Sequence, residues 1–263
     1  MGRMAPVATH EGPDSAPSAT TSGLFLVLEG GEGVGKTTQW QRLGDALRAV
    51  GLDVVAVREP GGTPAGDRIR ALLLDPASSL AHATEALLFA ASRAQLLHDV
   101  VEPALARGAV VLVDRFLLST YAYQGAGRGL PMDSLRRVNA LATGGRTPDL
   151  TLLLSMPLAT AQARAAARGV MDRLEQETAA FHERVSAAFT EALSPAWQAE
   201  HPEVGPVVAV DADSSVDAVT VRCLAQLVQR WPARFRDAAR AASGALVGSA
   251  SDTAAHPSAP ATS

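Results

Sequence analysis

The sequence predicts an α/β fold, a five-stranded, mainly parallel sheet flanked by helices. Five short apolar runs, at about residues 24–28, 53–58, 109–113, 150–154 and 206–210, alternate with segments of helical length. That is the βα order of a doubly wound sheet with right-handed crossovers. The first run enters a glycine-rich loop that opens a helix, and the third ends abruptly in Asp114-Arg115. Functional loops of open α/β sheets gather at the carboxyl ends of the strands, so both features belong to one crevice.

Leu24 to Leu28 and then Glu29 form the first strand, followed by Gly30-Gly31-Glu32-Gly33-Val34-Gly35-Lys36-Thr37, a full match to G-x-x-x-x-G-K-[ST], and a helix over Thr38–Ala49. The glycines let successive backbone N–H groups face phosphate oxygens at the positive end of that helix. Lys36 brings an ammonium to the β- and γ-phosphates, and the Thr37 hydroxyl can ligate Mg²⁺. Gly51 closes the helix, and the second strand, Asp53–Arg58, ends in the turn Glu59-Pro60-Gly61-Gly62-Thr63. The helix over Pro64–Leu74 carries Arg68 and Arg70, a candidate phosphate clamp.

A long helix is expected over Thr84–Arg107, with Phe89, Arg93 and Leu97 on one face; periodicity alone makes Phe89 core and lets Arg93 snorkel. The third strand, Ala109–Val113, presents Asp114 where a phosphate-loop protein keeps the acid that positions hydrated Mg²⁺. From Ser119 polar and aromatic residues lead into a glycine-rich loop ending at Gly129, a mixture that suits a base-reading pocket. A helix over Met132–Thr143 precedes the fourth strand, Leu150–Leu154. Beyond Pro157 a helix carries Arg164 and Arg168 at i and i+4, and Gly169 separates them from Arg173, the pattern of a mobile lid over about 157–178. A helix over Glu175–Ala199, the fifth strand Pro206–Val210 and a last helix over Val216–Trp231 complete the order.

The bulk properties narrow the function classes. With 263 residues, 47% of them hydrophobic, the chain can bury a sizeable core, and a net charge of −4 argues against a nucleic-acid binder. The single Cys223 excludes an internal disulfide and a cysteine-based zinc site, and the six histidines lack ligand spacing. No run approaches the roughly 20 apolar residues of a membrane span, and no apolar signal-peptide core precedes Gly23, so a cytoplasmic protein without a membrane partner is expected. Residues 1–22 read as a disordered N-terminal extension, 23–232 as one domain, and 233–263 as a mostly disordered tail.

From about residue 24 to 230 the chain resembles the thymidylate kinases. The resemblance rests on Glu29 through Thr38, Arg58 through Thr63, Asp114-Arg115, Tyr123-Gln124-Gly125 and Arg168-Gly169, taken in order. It implies the P-loop nucleoside monophosphate kinase fold and transfer of the γ-phosphoryl of ATP to dTMP with Mg²⁺, giving dTDP and ADP in dTTP biosynthesis. A cytoplasmic homodimer is the usual form of the family. By the same resemblance Gly30 through Thr38 hold ATP, and Thr37 and, through water, Asp114 serve the metal. Glu32 approaches the sugar 3′-hydroxyl, Arg70 and Arg115 hold the acceptor phosphate, and Phe89 stacks on thymine. Arg93 donates to thymine O4, Thr120 and Gln124 line the base and sugar pocket, and Tyr123 disfavours a 2′-hydroxyl.

Family members keep a catalytic arginine either in the phosphate loop or in the lid. Here the loop has Val34, and the lid supplies Arg164, Arg168 and Arg173, of which Arg168, before the glycine, is the expected catalytic one. Many relatives end the fourth strand with Leu-Asp where this chain has Leu154-Ser155, so one acidic group is missing. Two other readings stay open at this point: a kinase of the same scaffold acting on another acceptor, and a nucleotide-dependent switch. The second lacks an Asn-Lys-x-Asp guanine-reading motif.

Overall fold

The computed structural model describes residues 22–167, 169 and 171–252. The five strands, β1 (Leu24–Glu29), β2 (Val54–Arg58), β3 (Val110–Asp114), β4 (Leu150–Ser155) and β5 (Val207–Asp211), form one sheet in the order β2-β3-β1-β4-β5, every pair parallel. Alternation within each strand splits the core between two faces. Leu24, Leu26 and Leu28 of β1 meet Val110, Leu112, Leu152 and Leu154 on one face. Phe25 and Val27 meet Val111, Val113 and Leu153 on the other. Burial on both sides explains why these strands read as unbroken apolar runs.

The first face is covered by α1 (Lys36–Ala49) and α10 (Val216–Arg230) through Leu43, Leu47, Leu224 and Leu227. The second is covered by α3 (His82–Leu96) and α8 (Ala179–Glu191) through Leu96, Phe181, Val185 and Phe189. The remaining helices are α2 (Pro64–Leu74), α4 (Glu102–Ala106), α5 (Leu117–Thr120), α6 (Met132–Thr143), α7 (Leu158–Ala166), α9 (Pro195–Glu200) and α11 (Pro232–Asp252). Among the described residues no helix is long and apolar enough to cross a membrane.

Four local expectations change. The helix expected over Thr84–Arg107 widens into a π-type turn at Leu97–Val101 before α4. Pro103 supplies no N–H to the carbonyl of residue 99 and its ring crowds that carbonyl, which a wider turn relieves. The glycine-containing stretch after Ser119 is not loop: α5 continues as a second wide helical turn at Tyr121–Gly127. Gly127 is needed there because any Cβ would enter the Phe181 ring. The helix expected over Glu175–Ala199 is two helices. Thr178 caps α8 by accepting from Phe181 N, while Ser194 caps α9 and Pro195 opens it.

The tail expected to be mostly disordered from residue 233 begins instead as α11. Phe235 and Ala238 are fully buried against the face made by α1 and α10, and Arg234 donates to the carbonyls of Ser22 and Gly108 at 2.7 and 2.8 Å. Residues 1–21 of the expected N-terminal extension, and 253–263 of the tail, lie outside the described residues.

Candidate active site

The carboxyl ends of β1, β2 and β3 fall level, Leu28 opposite Asp114 and Asp114 opposite Arg58, which brings the loops after them together. The loop after β1 turns through Gly33 and Gly35 at φ 76° and 90°, and α1 starts at Lys36. Gly33 has no substitute there, because a Cβ would collide with the Ala161 carbonyl of α7. Lys36 is nearly buried, and its ammonium donates to the Gly31 carbonyl at 2.6 Å. Burial, and then the neighbouring Arg115 charge, pull its pKa down to about 8.

Thr37 Oγ1 donates to Asp114 Oδ2 at 3.0 Å, tying the loop to the end of β3. Arg115, next along, has φ 72°, a left-handed backbone that a non-glycine residue adopts at a cost of about 1–3 kcal/mol and that clusters at functional sites. From that position its Nη1 donates to the Gly30 carbonyl at 3.0 Å and Ser119 Oγ at 3.1 Å, and its Nη2 pairs with Glu32. The guanidinium lies over the Tyr123 ring, 5.0 Å from its centre, and Tyr123 donates to Glu32 Oε1 at 2.8 Å. Burial holds the Tyr123 phenol well above its usual range, so it stays a donor.

These groups line a cavity of about 370 Å³ with Glu32, Gly33, Gly35, Thr38 and, from other elements, Arg70, Phe89, Arg93, Thr120 and Gln124. Gly31 and Val34 face a second cavity of about 320 Å³ between α7 and α8, whose walls, such as Met156, Ala161, Val185 and Phe189, are mostly apolar. Gly30 meets neither and serves through its carbonyl to Arg115. Arg70 donates to the Pro60 carbonyl at 3.0 Å, and burial followed by repulsion from Arg58 lowers its pKa. An anion in the cavity would relieve that repulsion.

Arg93 does not snorkel. It is 2% exposed, and its Nε donates to Glu59 Oε2 at 2.8 Å, Nη1 to Asn139 Oδ1 at 2.8 Å, and Nη2 to the Phe116 carbonyl and Thr120 Oγ1 at 3.2 and 3.1 Å. Four of the five N–H groups of the guanidinium are thus committed, and the fifth, on Nη1, has no partner among the described residues. Phe89, one turn earlier on α3, is half-buried at the same wall.

The lid expectations fare unevenly. α7 ends at Ala166, before Arg168, and Arg168 lies outside the described residues. Arg164 reaches the cavity but is half-exposed and lies 3.7 Å from Asp213. Arg173 is drawn away by Glu85 at 2.7 Å and the Leu73 carbonyl at 2.7 Å.

Sequence reasoning passed over three buried carboxylates. Glu29 ends an otherwise apolar strand with no exposed surface, and its Oε1 accepts from Phe116 N and Ser119 N at 2.8 and 3.0 Å, its Oε2 from Ser119 Oγ at 2.6 Å. It caps the start of α5 and so fixes the segment carrying Arg115; burial raises its pKa. Glu59 orients Arg93, and Glu85 gathers Gln124, Arg128 and Arg173. A glutamate among apolar residues was the available signal at positions 29 and 85.

Among the described residues Asp114 Oδ1 is buried without a hydrogen-bond partner, beside the Thr37 hydroxyl. One hydroxyl and one carboxylate fit a Mg²⁺ that keeps waters and phosphate oxygens as its other ligands.

The family model for thymidylate kinase matches residues 28–203. A thymidylate kinase of Deinococcus radiodurans is 47% identical over 210 residues, covering 80% of this chain and 98% of the relative. One from Pseudomonas putida is 48% identical over 207 residues, 77% of this chain and 99% of the relative. One from Pseudomonas entomophila is 54% identical over 169 residues, 64% and 80% respectively. Matching over more than half its length, and carrying the all-parallel sheet and loop arrangement of the P-loop nucleoside monophosphate kinase fold, the chain is a kinase and belongs to the thymidylate kinase family.

Proposed function

We propose that the chain transfers the γ-phosphoryl group of ATP to dTMP, giving dTDP and ADP for dTTP synthesis in the cytoplasm. The observation that carries this reading is one cavity lined both by the cations Lys36, Arg58, Arg70 and Arg115 and by a half-buried ring, Phe89, one turn of α3 from the Arg93 guanidinium. Two phosphate-bearing ligands that meet head to head need several cations in one cavity.

In this reading the loop from Gly30 to Thr38 and the Lys36 ammonium hold the phosphates of ATP. Thr37 and, through water, Asp114 would hold Mg²⁺, which would neutralise phosphate charge. Arg70 and Arg115 align a phosphate oxygen of dTMP, and Arg168 covers the transferring group. No general base is needed, because a phosphate monoester is already ionised at neutral pH. Phe89 stacks on thymine, the free Arg93 N–H meets O4, Thr120 and Gln124 complete the base pocket, and Glu32 and Tyr123 meet the sugar. Exposed Leu87 and Leu141, on the adjacent helices α3 and α6, support a homodimer through that side.

The test is ADP formation from MgATP with dTMP, dUMP, dCMP, UMP, AMP and GMP offered separately. dTMP is expected to lead by about tenfold or more, with dUMP behind it. Equal ADP formation with and without acceptor, or another monophosphate in the lead, overturns the assignment.

The depressed pKa of Lys36 gives a second expectation. In the free protein the ammonium is half deprotonated near pH 8, and phosphate oxygens beside it raise its pKa again, so nucleotide binding takes up a proton. Titration calorimetry in buffers of different ionisation heat should find uptake of about half a proton at pH 8 and almost none at pH 6.5. No uptake at pH 8, in a free protein whose Lys36 is shown by NMR titration to be half deprotonated at that pH, would mean that Lys36 does not meet the phosphates.

A further inference from the structure

We propose that Glu85 is a positioning residue that sets the orientation of Gln124 in the base pocket and, through Arg173, holds residues 171–177 against the ends of α2 and α3. The proposal deepens the reading of the cavity as an acceptor-nucleotide site and rests on it for the base-pocket half alone.

Glu85 lies on the same stripe of α3 as Phe89 and Arg93, at i, i+4 and i+8, and its side chain has no exposed surface. Oε1 accepts from Gln124 Nε2 at 2.9 Å and Arg128 Nε at 3.2 Å, and Oε2 from Arg128 Nη2 at 3.0 Å and Arg173 Nη2 at 2.7 Å. Arg128 also donates to Glu177 Oε1 at 2.5 Å and lies over the Phe181 ring, so two arginines and two glutamates balance in a cluster whose centre, Glu85, is fully buried. Burial opposes the charge on Glu85; hydrogen bonds from Arg128, Gln124 and Arg173 outweigh it and hold the carboxyl below its usual range.

Two consequences follow from what a carboxylate can do. It only accepts, so Gln124 must turn its amide nitrogen toward Glu85, and the amide oxygen is left as its acceptor. An acceptor fixed in the base pocket suits the N3–H of a thymine and opposes the bare N3 of a cytosine. The second consequence concerns the segment after the lid helix. Arg173 Nε donates to the Leu73 carbonyl at 2.7 Å and its backbone N to the Leu74 carbonyl at 3.2 Å, while its Nη2 ends on Glu85. Asp172 Oδ1 accepts from Leu174 N and Glu175 N at 2.9 and 3.0 Å, so the turn is locked as one piece when Arg173 docks. Asp172, Leu174 and Glu175 of that piece line the cavity, and the carboxylate that faces the base pocket therefore also holds one wall over it.

The experiment compares Glu85→Gln, Arg173→Gln and the double variant in the full chain. A glutamine at 85 can donate as well as accept, which frees Gln124 to flip. The ratio of kcat/KM for dTMP over dCMP should fall about tenfold or more in Glu85→Gln and stay within about twofold of the parent in Arg173→Gln. Hydrogen exchange of backbone amides 171–177, read without substrate, should quicken at least about tenfold in both single variants and no further in the double, as expected of two ends of one contact. Should Glu85→Gln fail to fold, Glu85→Asp, which keeps the charge but shortens the reach, is expected to lower the ratio about threefold. An unchanged dTMP/dCMP ratio overturns the base-pocket role; additive exchange effects, or none, overturn the docking role. If the unaltered chain shows no preference for dTMP, the acceptor assignment falls, and the exchange result still decides whether Glu85 holds the segment.

Discussion

Arg168→Ala is expected to lower turnover about 10³-fold or more, the magnitude of removing an arginine that meets the transferring phosphoryl group. The loop from Gly30 to Thr37 carries Val34 where other family members place an arginine, and Lys36 is its one cation. Arg173 is committed to Glu85 and two backbone carbonyls, and Arg164 pairs with Asp213 at the edge of the cavity. Charge spreads over three equatorial oxygens in the transition state, and a single ammonium cannot meet them all. Rapid-quench measurement of the first turnover, with saturating ATP and dTMP, separates chemistry from product release. A near-normal rate in Arg168→Ala sinks the lid-arginine assignment, and a 10³-fold loss in Arg164→Ala instead would move the role to α7.

What the sequence made legible was whatever is encoded within a few residues. The five apolar runs are buried on both faces and so lack polar interruptions, and the glycine loop is contiguous because consecutive N–H groups must face one ligand. Asp114-Arg115 stood out because polarity changes abruptly at the end of β3. The parts that could not be read depend on partners far along the chain. Glu29 caps a segment 87 residues away, and the four partners of Arg93 come from three separate stretches, so its side chain looked like a snorkelling arginine until they were assembled. The left-handed backbone of Arg115 leaves no compositional trace at all. α11 is different: Trp231, Phe235, Ala238 and Ala242 already fall on one helical stripe, but the Ala- and Arg-rich composition masked a face that α1 and α10 bury.

Arg115→Lys should lower kcat/KM for dTMP about 10²- to 10³-fold while the KM for ATP stays within about threefold. The substitution keeps the charge and removes the planar fork, and the fork is what the site uses. One guanidinium reaches the Gly30 carbonyl, Ser119 Oγ and Glu32 at once while lying over Tyr123, and an ammonium on a flexible stem cannot hold those directions together. Loss is expected on the acceptor side because Lys36, the cation proposed for the donor phosphates, is anchored separately on the Gly31 carbonyl. Equal losses toward both substrates would place Arg115 in the general scaffold and not on the acceptor phosphate. Arg115→Met supplies the electrostatic control. The Arg115 charge helps to depress the Lys36 pKa, so removing it raises that pKa, leaves Lys36 more fully protonated at pH 8 and shrinks the proton uptake on nucleotide binding. Arg115→Lys, with its charge retained, should leave the uptake near its parent value. A variant that loses dTMP turnover with normal uptake, beside one that loses both, separates the geometry of Arg115 from its charge.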